Sequence, residues 1–420
     1  MFNKLKGTKD IYNQESEILN YIKNIFFSVA KKYDFNYIET PIIEDVNLFI
    51  RSVGETSDIV SKEMYVFKDN GDRTIALRPE ATASTIRAFV ENKINNLEGA
   101  KLFYFGPMFR YERPQKGRFR QFTQGGVELI APKTLLTNFE IIKLAFDFLN
   151  EINIKDFVLE INNLGSFDSR NNYIKVLKEY FLPYKEKLNE TSKIRLEKNV
   201  LRILDDKEEQ EKEFVKNAPK LIDYLSKEEK NNFNDLLNLL KKFNIPFSIN
   251  YSLVRGLDYY NDIVFEFVSN SSALGTKSTI LAGGRYDGMV KNFGGPNIGS
   301  IGFAFGVDRL IEIIKSNIKN YPILVKKIDF LIAYLNEEER NEILEIAYDL
   351  RKKYNVCLIN EKINIKQLFK KAYQLAPKYI IFKELNSKSN EFKIKTNATE
   401  KTITYNNLNE LEKELFKMEK

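Results

Sequence analysis

The sequence contains no histidine and no tryptophan among its 420 residues. The absence of histidine excludes imidazole as a general base, as the partner of a nucleophile and as a metal ligand. Hydrolysis by a serine–histidine–aspartate triad, cysteine–histidine catalysis and histidine-bound zinc are therefore excluded. Cys357 is the only cysteine, which also excludes a disulfide framework and a cysteine-based zinc cluster and is typical of a reducing compartment.

Long apolar runs are also missing from the chain. No uninterrupted apolar segment approaches the roughly 20 residues of a membrane-spanning helix, and the first 15 residues lack the apolar core of a signal peptide. We therefore expect a soluble, cytoplasmic protein with no membrane partner. The composition is otherwise that of a globular protein, with 43% hydrophobic and 29% charged residues. A formal net charge of +7 permits an anionic partner without requiring one.

The hydrophobic pattern divides the chain into three regions. Residues 1–322 have mainly the pattern of β-strands. This region starts with an amphipathic helix over residues 16–33, which is followed by an extended segment that Pro41 places at an edge or a bend. Residues 167–247 have a lysine- and glutamate-rich helical pattern, which predicts a helical insertion within this region. Residues 326–420 alternate strand and helix, which predicts a small α/β domain with largely parallel strands.

The segment GPMFRYERPQKGRFRQFTQGGVE, residues 106–128, is the most informative part of the sequence. Aromatic residues alternate on both sides of a Pro-Gln-Lys-Gly break, which predicts a hairpin with Phe119 in its second strand. Four arginines gather at its mouth. Arginine stays charged and forms bidentate hydrogen bonds with phosphate oxygens, so the hairpin is suited to binding a polyphosphate. The alternative is a basic surface hairpin with solvated charges.

Two further clusters carry candidate binding groups. In RPEAT, Glu80 and Thr82 are two residues apart, so on an extended segment both face the same side and together suit an ammonium group. The alternative is a surface ion pair with Thr82 as the N-cap of a helix. In VRGLDYY, Arg255 precedes a turn and is a candidate for a second positive charge at a phosphate; the alternative is a strand end with a surface ion pair.

Two glycine-containing segments follow. AGGRYDG has paired glycines that either let backbone approach a ligand or form a tight strand turn. GSIGFAFGVDRL lacks the order of a dinucleotide-binding loop and predicts a strand that enters a helix, with Arg309 free to lie against a purine ring or a phosphate. A site rich in arginine and carboxylates, without a metal cluster, suits phosphoryl or nucleotidyl transfer.

The segments FRYERPQKGRFRQF, LVRGLDYYNDIVFEF, AGGRYDG and GFAFGVDRL, in this order, resemble the class II histidyl-tRNA synthetase family. KGTKD, RPEAT and LRILDDK extend the resemblance over nearly the whole chain. It implies an α+β catalytic core with an antiparallel sheet of at least six strands and flanking helices, a helical insertion, and a C-terminal α/β anticodon-binding domain. It also implies a homodimer with the helix over residues 16–33 and Pro41 at its interface.

The activity implied by the resemblance is the activation of histidine with ATP to histidyl-adenylate and transfer to the 3′ end of histidine tRNA. Mg²⁺ would bridge the ATP phosphates, without a metal site formed by protein alone. The substrate carboxylate is already ionised, so a chain without histidine is chemically compatible with adenylation. The alternatives are a non-catalytic, synthetase-like histidine-binding regulatory subunit and a folded but inactive engineered scaffold.

The resemblance also implies a role for individual residues. Arg110 and Arg255 would be the catalytic arginines on either side of the α-phosphate. The remaining expected ligands of ATP are Glu112 at the adenine, Arg118, and Arg309 stacked on the adenine. Histidine would be bound by Glu80, Thr82, Gln124, Glu128, Arg255, Tyr259 and Tyr260. Gln115, Lys116 and Arg118 would face the acceptor end of the tRNA.

Three positions depart from the commonest family pattern. Ala81 stands where glycine is usual, Thr123 where many relatives have histidine, and Gly125 where a large hydrophobe is usual. We expect Gly125 to leave space beside the substrate pocket and to weaken or alter amino-acid binding. We interpret the missing histidine as the result of design or strong selection for an enzyme whose own synthesis does not require the amino acid it activates.

Overall fold

The computed structural model describes residues 2–54, 57, 59–94, 99–204, 206, 208–254, 259–275, 277–324, 328–384, 387–388, 390–396 and 399–418. The chain forms two compact units, Met1–Leu324 and Val325–Lys420. Within the described residues, no helix is both long and apolar enough to cross a membrane.

The strands are, in chain order, β1 Asn36–Tyr37, β2 Ile43–Asp45, β3 Tyr65–Lys68, β4 Thr74–Leu77, β5 Ala100–Phe109, β6 Gln121–Ile130, β7 Phe157–Asn163, β8 Phe247–Ile249, β9 Asn261–Ser269, β10 Ser278–Arg285, β11 Ser300–Gly306, β12 Phe330–Ile332, β13 Val356–Leu358, β14 Tyr379–Phe382, β15 Glu391–Lys395 and β16 Glu400–Thr404.

The α-helices are α1 Gln14–Lys32, α2 Val46–Val53, α3 Thr82–Glu91, α4 Leu135–Glu151, α5 Phe167–Phe181, α6 Glu190–Lys198, α7 Leu201–Leu204, α8 Glu213–Lys216, α9 Lys227–Lys242, α10 Met289–Asn292, α11 Val307–Ser316, α12 Arg340–Leu350, α13 Ile365–Leu375 and α14 Leu408–Met418. Helix α1 confirms the helix predicted over residues 16–33. Its apolar residues at helical spacing are buried, and acids in its first turn with lysines in its last turn match the helix dipole.

The first unit is built on an eight-stranded sheet with the order β1-β5-β6-β11-β10-β9-β7-β8. The inner pairs are antiparallel, whereas the outer pairs β1–β5 and β7–β8 are parallel. Helices α1, α4, α9 and α11 pack against one face of this sheet and form the main hydrophobic core with it. The predicted antiparallel sheet with flanking helices is therefore confirmed.

Two smaller parts complete the first unit. A three-stranded antiparallel sheet, β2-β4-β3, lies between α1 and α3 in the sequence. The helical insertion runs from α5 to α9, between β7 and β8. Helices α5 to α8 form a second hydrophobic cluster with Val264 of β9, whereas α9 packs into the main core.

The second unit contains a five-stranded sheet with the order β13-β12-β14-β15-β16. Strand β12 pairs in parallel with β13 and β14, whereas β15 and β16 are antiparallel additions. The largely parallel sheet expected from the alternation of strand and helix thus holds for three strands. Helices α12 and α14 contribute to the core on one face and α13 to the core on the other.

Candidate active site

Strands β5 and β6 form the predicted hairpin. They pair antiparallel from Ala100 opposite Ile130 to Phe109 opposite Gln121. The connecting loop, residues 110–120, folds back on itself: the N–H of Arg110 donates to the carbonyl of Arg120 at 2.9 Å. Phe119 lies in this loop and not in the second strand as predicted. The N–H of Arg120 donates to Gly7 O instead of a neighbouring strand, so sheet pairing begins only at Gln121.

The tip of the hairpin is a tight turn. Gln115 and Arg118 are bridged across it, and Gly117 has φ +70°, a left-handed conformation that favours glycine. Lys116 at the tip is exposed, and its Nζ lies 3.7 Å from Glu312 Oε2. Gln115 is also exposed. Gly117 and Arg118 border two cavities, whereas the side chains of Gln115 and Lys116 do not line them.

Those two cavities measure about 350 Å³ and about 330 Å³. We call the first the carboxylate lobe, because Glu80 and Glu128 line it, and the second the Arg309 lobe. Both lobes share the following lining residues: Arg110, Glu112, Arg118, Gln124, Ala282 and Ala304. They are therefore two parts of one cleft, with the arginines of the hairpin between them.

The hairpin arginines are held in place by fixed partners. Arg110 donates its Nε–H to the carbonyl of Pro79 at 2.8 Å, and its guanidinium lies 5.3 Å from the centre of the Phe122 ring. Arg118 Nη1 lies 3.4 Å from Glu112 Oε2. Arg110 is mostly buried, whereas about half of the Arg118 side chain is exposed. The two guanidinium groups provide positive charge where the lobes meet.

Glu128 lies in the carboxylate lobe with 1% of its surface exposed. Its carboxyl group accepts hydrogen bonds from the hydroxyl of Thr82, at 2.7 Å, and from the hydroxyl of Tyr286. Burial raises the pKa of Glu128 to about 8, and the nearby Glu80 carboxyl adds to the shift. Glu128 therefore keeps its proton to a higher pH than an ordinary glutamate does.

Glu80 lies beside Glu128 and is also buried. Its carboxylate accepts the backbone N–H groups of Thr82 at 2.6 Å and of Ala83 at 3.0 Å, so it caps the N-terminus of α3. Burial raises the pKa of Glu80, while these hydrogen bonds and the charge of Arg110 oppose the shift. Thr82 is the first residue of the helix, so it is neither on an extended segment nor the N-cap. Both side chains nevertheless line the same lobe.

The backbone at Ala81 has φ −112°, which alanine adopts without strain, so the usual glycine is not required there.

Aromatic side chains close the carboxylate lobe. The rings of Tyr259 and Tyr260 are 4.6 Å apart, and Tyr286 lies 5.7 Å from Tyr259. Burial raises the pKa values of Tyr259 and Tyr286 well above the ordinary value for tyrosine, so both remain neutral donors. Gln124 reaches into the same space, and its buried Oε1 has no hydrogen-bond partner among the described residues. These groups form a polar pocket for a small ligand.

Gly125 does not enlarge this pocket, contrary to the expectation. Adjacent residues of β6 point to opposite faces of the sheet, so Gln124 faces the lobe and Gly125 faces the helices. A Cβ added to Gly125 would lie 2.3 Å from Cζ of Phe305, whose ring occupies the space and packs against Phe26 and Phe148. The space left by the missing side chain is filled by Phe305.

Arg309 lies in the first turn of α11, directly after β11, as the strand-to-helix prediction requires. It lines the second lobe, and its Nη1–H donates to the carbonyl of Thr279. Burial lowers the pKa of Arg309, and the positive charge of Arg118 lowers it further. Glu112 and Glu266 are the acidic residues among those that line this lobe.

Several residues that line the cleft were absent from the sequence prediction, and one predicted residue cannot be placed. Tyr286 belongs to AGGRYDG and Arg202 to LRILDDK, so both motifs carried a signal, but neither indicated that its side chain would reach the carboxylate lobe. Arg255 lies outside the described residues. Within the described residues, no group of three or more cysteine, aspartate or glutamate side chains is placed to hold a metal ion.

An antiparallel sheet with an arginine-rich hairpin, followed by a strand and helix that place another arginine in the same cleft, defines a class II aminoacyl-tRNA synthetase. The second unit is its anticodon-binding domain. The chain belongs to the histidyl-tRNA synthetase family, because a family model described as Histidyl-tRNA synthetase matches residues 7–310.

Comparisons with known proteins agree with this family. The chain is 46% identical over 408 residues to histidine–tRNA ligase of Mycoplasmopsis pulmonis, covering 97% of this chain and 96% of that protein. It is 44% identical over 429 residues to histidine–tRNA ligase of Mycoplasma mobile, covering 98% and 95%. The structure is similar to apo histidyl-tRNA synthetase of S. aureus, with a TM-score of 0.80, 30% identity and coverage of 96% and 97%.

Proposed function

We propose that this chain joins histidine to ATP to form histidyl-adenylate and then transfers the histidyl group to the 3′ end of histidine tRNA. The observation that supports this most directly is the two-lobed cleft. A polar pocket with a buried carboxyl pair opens into a second pocket lined by Arg309, and Arg110 and Arg118 lie at their junction. Such an arrangement suits two substrates that react with each other between the lobes.

In the first step, a carboxylate oxygen of histidine attacks the α-phosphorus of ATP. The new P–O bond replaces the bond to the β-phosphate oxygen, and pyrophosphate leaves with that electron pair. No proton has to be removed from the carboxylate, so no enzyme base is required. Arg110 and Arg255 stabilise the charge that develops on the α-phosphate. Arg118 binds the pyrophosphate that leaves.

Arg309 and Glu112 hold the adenine end of ATP in the second lobe. Arg309 stacks on the base, and Glu112 accepts a hydrogen bond from its amino group. Mg²⁺ usually binds through substrate phosphates, waters and one or two carboxylates, a set that Glu266 and Glu112 fit. The ion supplies positive charge that offsets the charge of the phosphates.

Histidine occupies the carboxylate lobe. Glu80, Thr82 and Gln124 face its ammonium group, while Glu128, Tyr259 and Tyr260 face the imidazole ring. The unpartnered Oε1 of Gln124 and the raised pKa of Glu128 support these roles, because each group gains a partner when a polar ligand binds.

In the second step, a terminal ribose hydroxyl of the tRNA attacks the carbonyl carbon of the adenylate. The new ester bond replaces the bond to the AMP phosphate oxygen, and AMP leaves with that electron pair while the hydroxyl proton passes to the departing phosphate. Gln115, Lys116 and Arg118 contact the acceptor end from the hairpin. We assign residues 1–322 to the catalytic domain, with 167–247 as its insertion, and residues 326–420 to recognition of the anticodon. The active form is a homodimer located in the cytoplasm.

The test is the exchange of labelled pyrophosphate into ATP with each of the twenty amino acids in turn. We expect exchange with histidine only, reduced at least 100-fold by Arg110→Gln, since about 2.7 kcal/mol or more of charge stabilisation would be lost. Arg73→Gln is the matched control, because Arg73 is 79% exposed on the β3–β4 turn. Histidine binding without exchange would support the regulatory-subunit alternative, and neither binding nor exchange would support the inactive scaffold.

A further inference from the structure

Residues 7–9, which we call the strap, lie across the hairpin loop ahead of α1. The carbonyl of Gly7 accepts the N–H of Arg120 at 2.7 Å. The Nζ of Lys9 lies 2.9 Å from Asp308 Oδ1 and 4.7 Å from the centre of the Phe119 ring. The strap therefore contacts both the hairpin loop and the first turn of α11.

Asp308 links three segments through one carboxylate. Its Oδ1 pairs with Lys9, and its Oδ2 accepts the N–H of Thr123 at the start of β6. Only 4% of the Asp308 side chain and 13% of the Lys9 side chain are exposed, so the pair is largely shielded from water. Removing the cation from such a pair leaves a buried carboxylate with no opposite charge and only the N–H of Thr123 as a partner, which destabilises its surroundings.

The strap contacts residues that line the Arg309 lobe, or that adjoin its lining, from the side away from the cavity. Phe119 lines this lobe, and Arg309 follows Asp308 directly in the first turn of α11. Lys9 is absent from the lining of both lobes, yet it contacts the ring of Phe119 and the carboxylate next to Arg309. Asp308 and Arg309 share the first turn of α11, so a shift of Asp308 would disturb the backbone that carries Arg309.

Gly7 allows the strap to lie this close. It has φ +88°, and an added Cβ would lie 2.7 Å from Cγ of Arg120. The guanidinium of Arg120 lies 3.6 Å from the centre of the Tyr111 ring, so displacing this side chain would disturb the hairpin loop. A larger residue at position 7 would thus disturb the same wall without removing a charge.

We propose that Lys9 is a positioning residue for ATP: through Asp308 and Phe119 it fixes the wall of the Arg309 lobe without touching the nucleotide. This proposal rests on the proposed function, in which that lobe binds ATP. A residue needed only for folding would affect both substrates equally, whereas Lys9 contacts Phe119, which lines the Arg309 lobe, and Asp308 beside Arg309, and neither of these lines the carboxylate lobe.

The experiment compares the KM values for ATP and for histidine in pyrophosphate exchange. We expect Lys9→Met to raise the KM for ATP about tenfold, because a small misplacement of binding groups costs one to two orders of magnitude, while the KM for histidine stays within about twofold. Lys9→Arg should restore most of the ATP affinity. Lys6→Met, an exposed lysine just before the strap, is the matched control.

Two further variants distinguish the effect of the unpaired Asp308 charge from a displacement of the strap. Lys9→Met combined with Asp308→Asn removes the orphaned carboxylate, so it should recover part of the affinity for ATP. Gly7→Ala should raise the KM for ATP in the same selective way with all charges intact. An unchanged KM for ATP in Lys9→Met, or equal rises in both KM values, would overturn the proposal.

If the unaltered chain shows no exchange, the proposed function is wrong, but the proposed role of Lys9 in ATP binding is still open to test. Calorimetric titration of MgATP into the unaltered chain and into Lys9→Met then decides the role of Lys9. The proposal predicts a weaker affinity for MgATP in the variant, and equal affinities, or no MgATP binding by either protein, would refute it.

Discussion

Glu128 is buried beside a second carboxyl group, Glu80, at the base of the cleft. Its folded-state pKa of about 8 is above the ordinary value of 4.5. The folded protein therefore holds a proton that the unfolded chain releases between these two pH values. This contribution to stability is fully present below pH 4.5 and is lost as the pH rises through about 8.

Glu128→Gln should remove this pH dependence, because glutamine does not titrate. We expect the difference in thermal midpoint between the two proteins to shift in favour of the variant from pH 5 to about pH 8 and to level off above it. Scanning calorimetry of both proteins across this range measures it. A difference that does not change with pH would mean that Glu128 titrates at an ordinary value.

The same substitution tests the role of Glu128 in binding. We expect Glu128→Gln to raise the KM for histidine about 10- to 100-fold, the loss of a charge-assisted hydrogen bond, while the KM for ATP is unchanged. Pyrophosphate exchange at saturating ATP measures the first value. An equal rise in both KM values would instead assign Glu128 to the general structure of the cleft.

Gly125 and Phe305 form a matched pair of small and large residues. Gly125→Ala forces a methyl group against the Phe305 ring, and overpacking of this kind costs about 1–3 kcal/mol, or about 2–6 °C in thermal midpoint. Gly125→Ala combined with Phe305→Leu should recover most of this loss. Circular dichroism is the suitable probe, since the chain has no tryptophan.

Histidine binding provides the control for this pair. The methyl group faces the helices and not the carboxylate lobe, so the KM for histidine should stay within about twofold of the unaltered value. A large rise in KM with an unchanged thermal midpoint would show that Gly125 does shape the pocket.

At the scale of elements, the hairpin shows what a sequence pattern predicts and where it stops. Alternating aromatics predicted β5 and β6, because alternation depends only on which face of a strand is buried. The path of residues 110–120 depends on distant partners: Arg120 bonds to Gly7, and Tyr111 donates its N–H to Glu63 O at 2.7 Å. No local pattern predicts such contacts, so the sequence placed Phe119 in a strand.

The site residues were also predicted where the signal is local and missed where it depends on distant partners. The motif that contains Glu80 and Thr82 predicted that both face one pocket, and the structure places them there. That Glu80 also caps α3 was not predictable from the motif, because the cap depends on where the helix begins. The pairing of Gly125 with Phe305 was equally hidden, since 180 positions along the chain separate two residues that β6 and β11 place opposite each other.

The hairpin tip should separate the two steps of the reaction. Lys116 lines neither lobe and is 62% exposed, so Lys116→Ala should leave pyrophosphate exchange unchanged. We expect it to lower kcat/KM for charging of histidine tRNA about tenfold and to weaken the salt dependence of that value. Lys155→Ala, an exposed lysine between α4 and β7, is the matched control. An equal loss in exchange would place Lys116 on ATP.

At the scale of the whole molecule, the β2-β4-β3 sheet exposes a face that is apolar except for Asp45. Alternate residues of its strands lie on that face, and among them Ile43 is 51% and Phe67 44% exposed. Tyr65, Ile75 and Leu77 continue it and are only partly buried. A contiguous apolar patch is unusual on a monomer, so the face supports a second copy of this chain as its partner. The placing of residues 16–33 and Pro41 at a homodimer interface stays a prediction.

A charge on this face should separate the two copies. We expect the unaltered chain to sediment as a dimer and Phe67→Glu to sediment as a monomer at micromolar concentration, because the variant would bury an unpaired carboxylate in the interface. Leu182→Glu is the control, since Leu182 is 64% exposed on the helical insertion. A Phe67→Glu protein that remains dimeric would place the interface elsewhere. If the variant is a monomer with unchanged pyrophosphate exchange, the cleft of one chain is sufficient for adenylation.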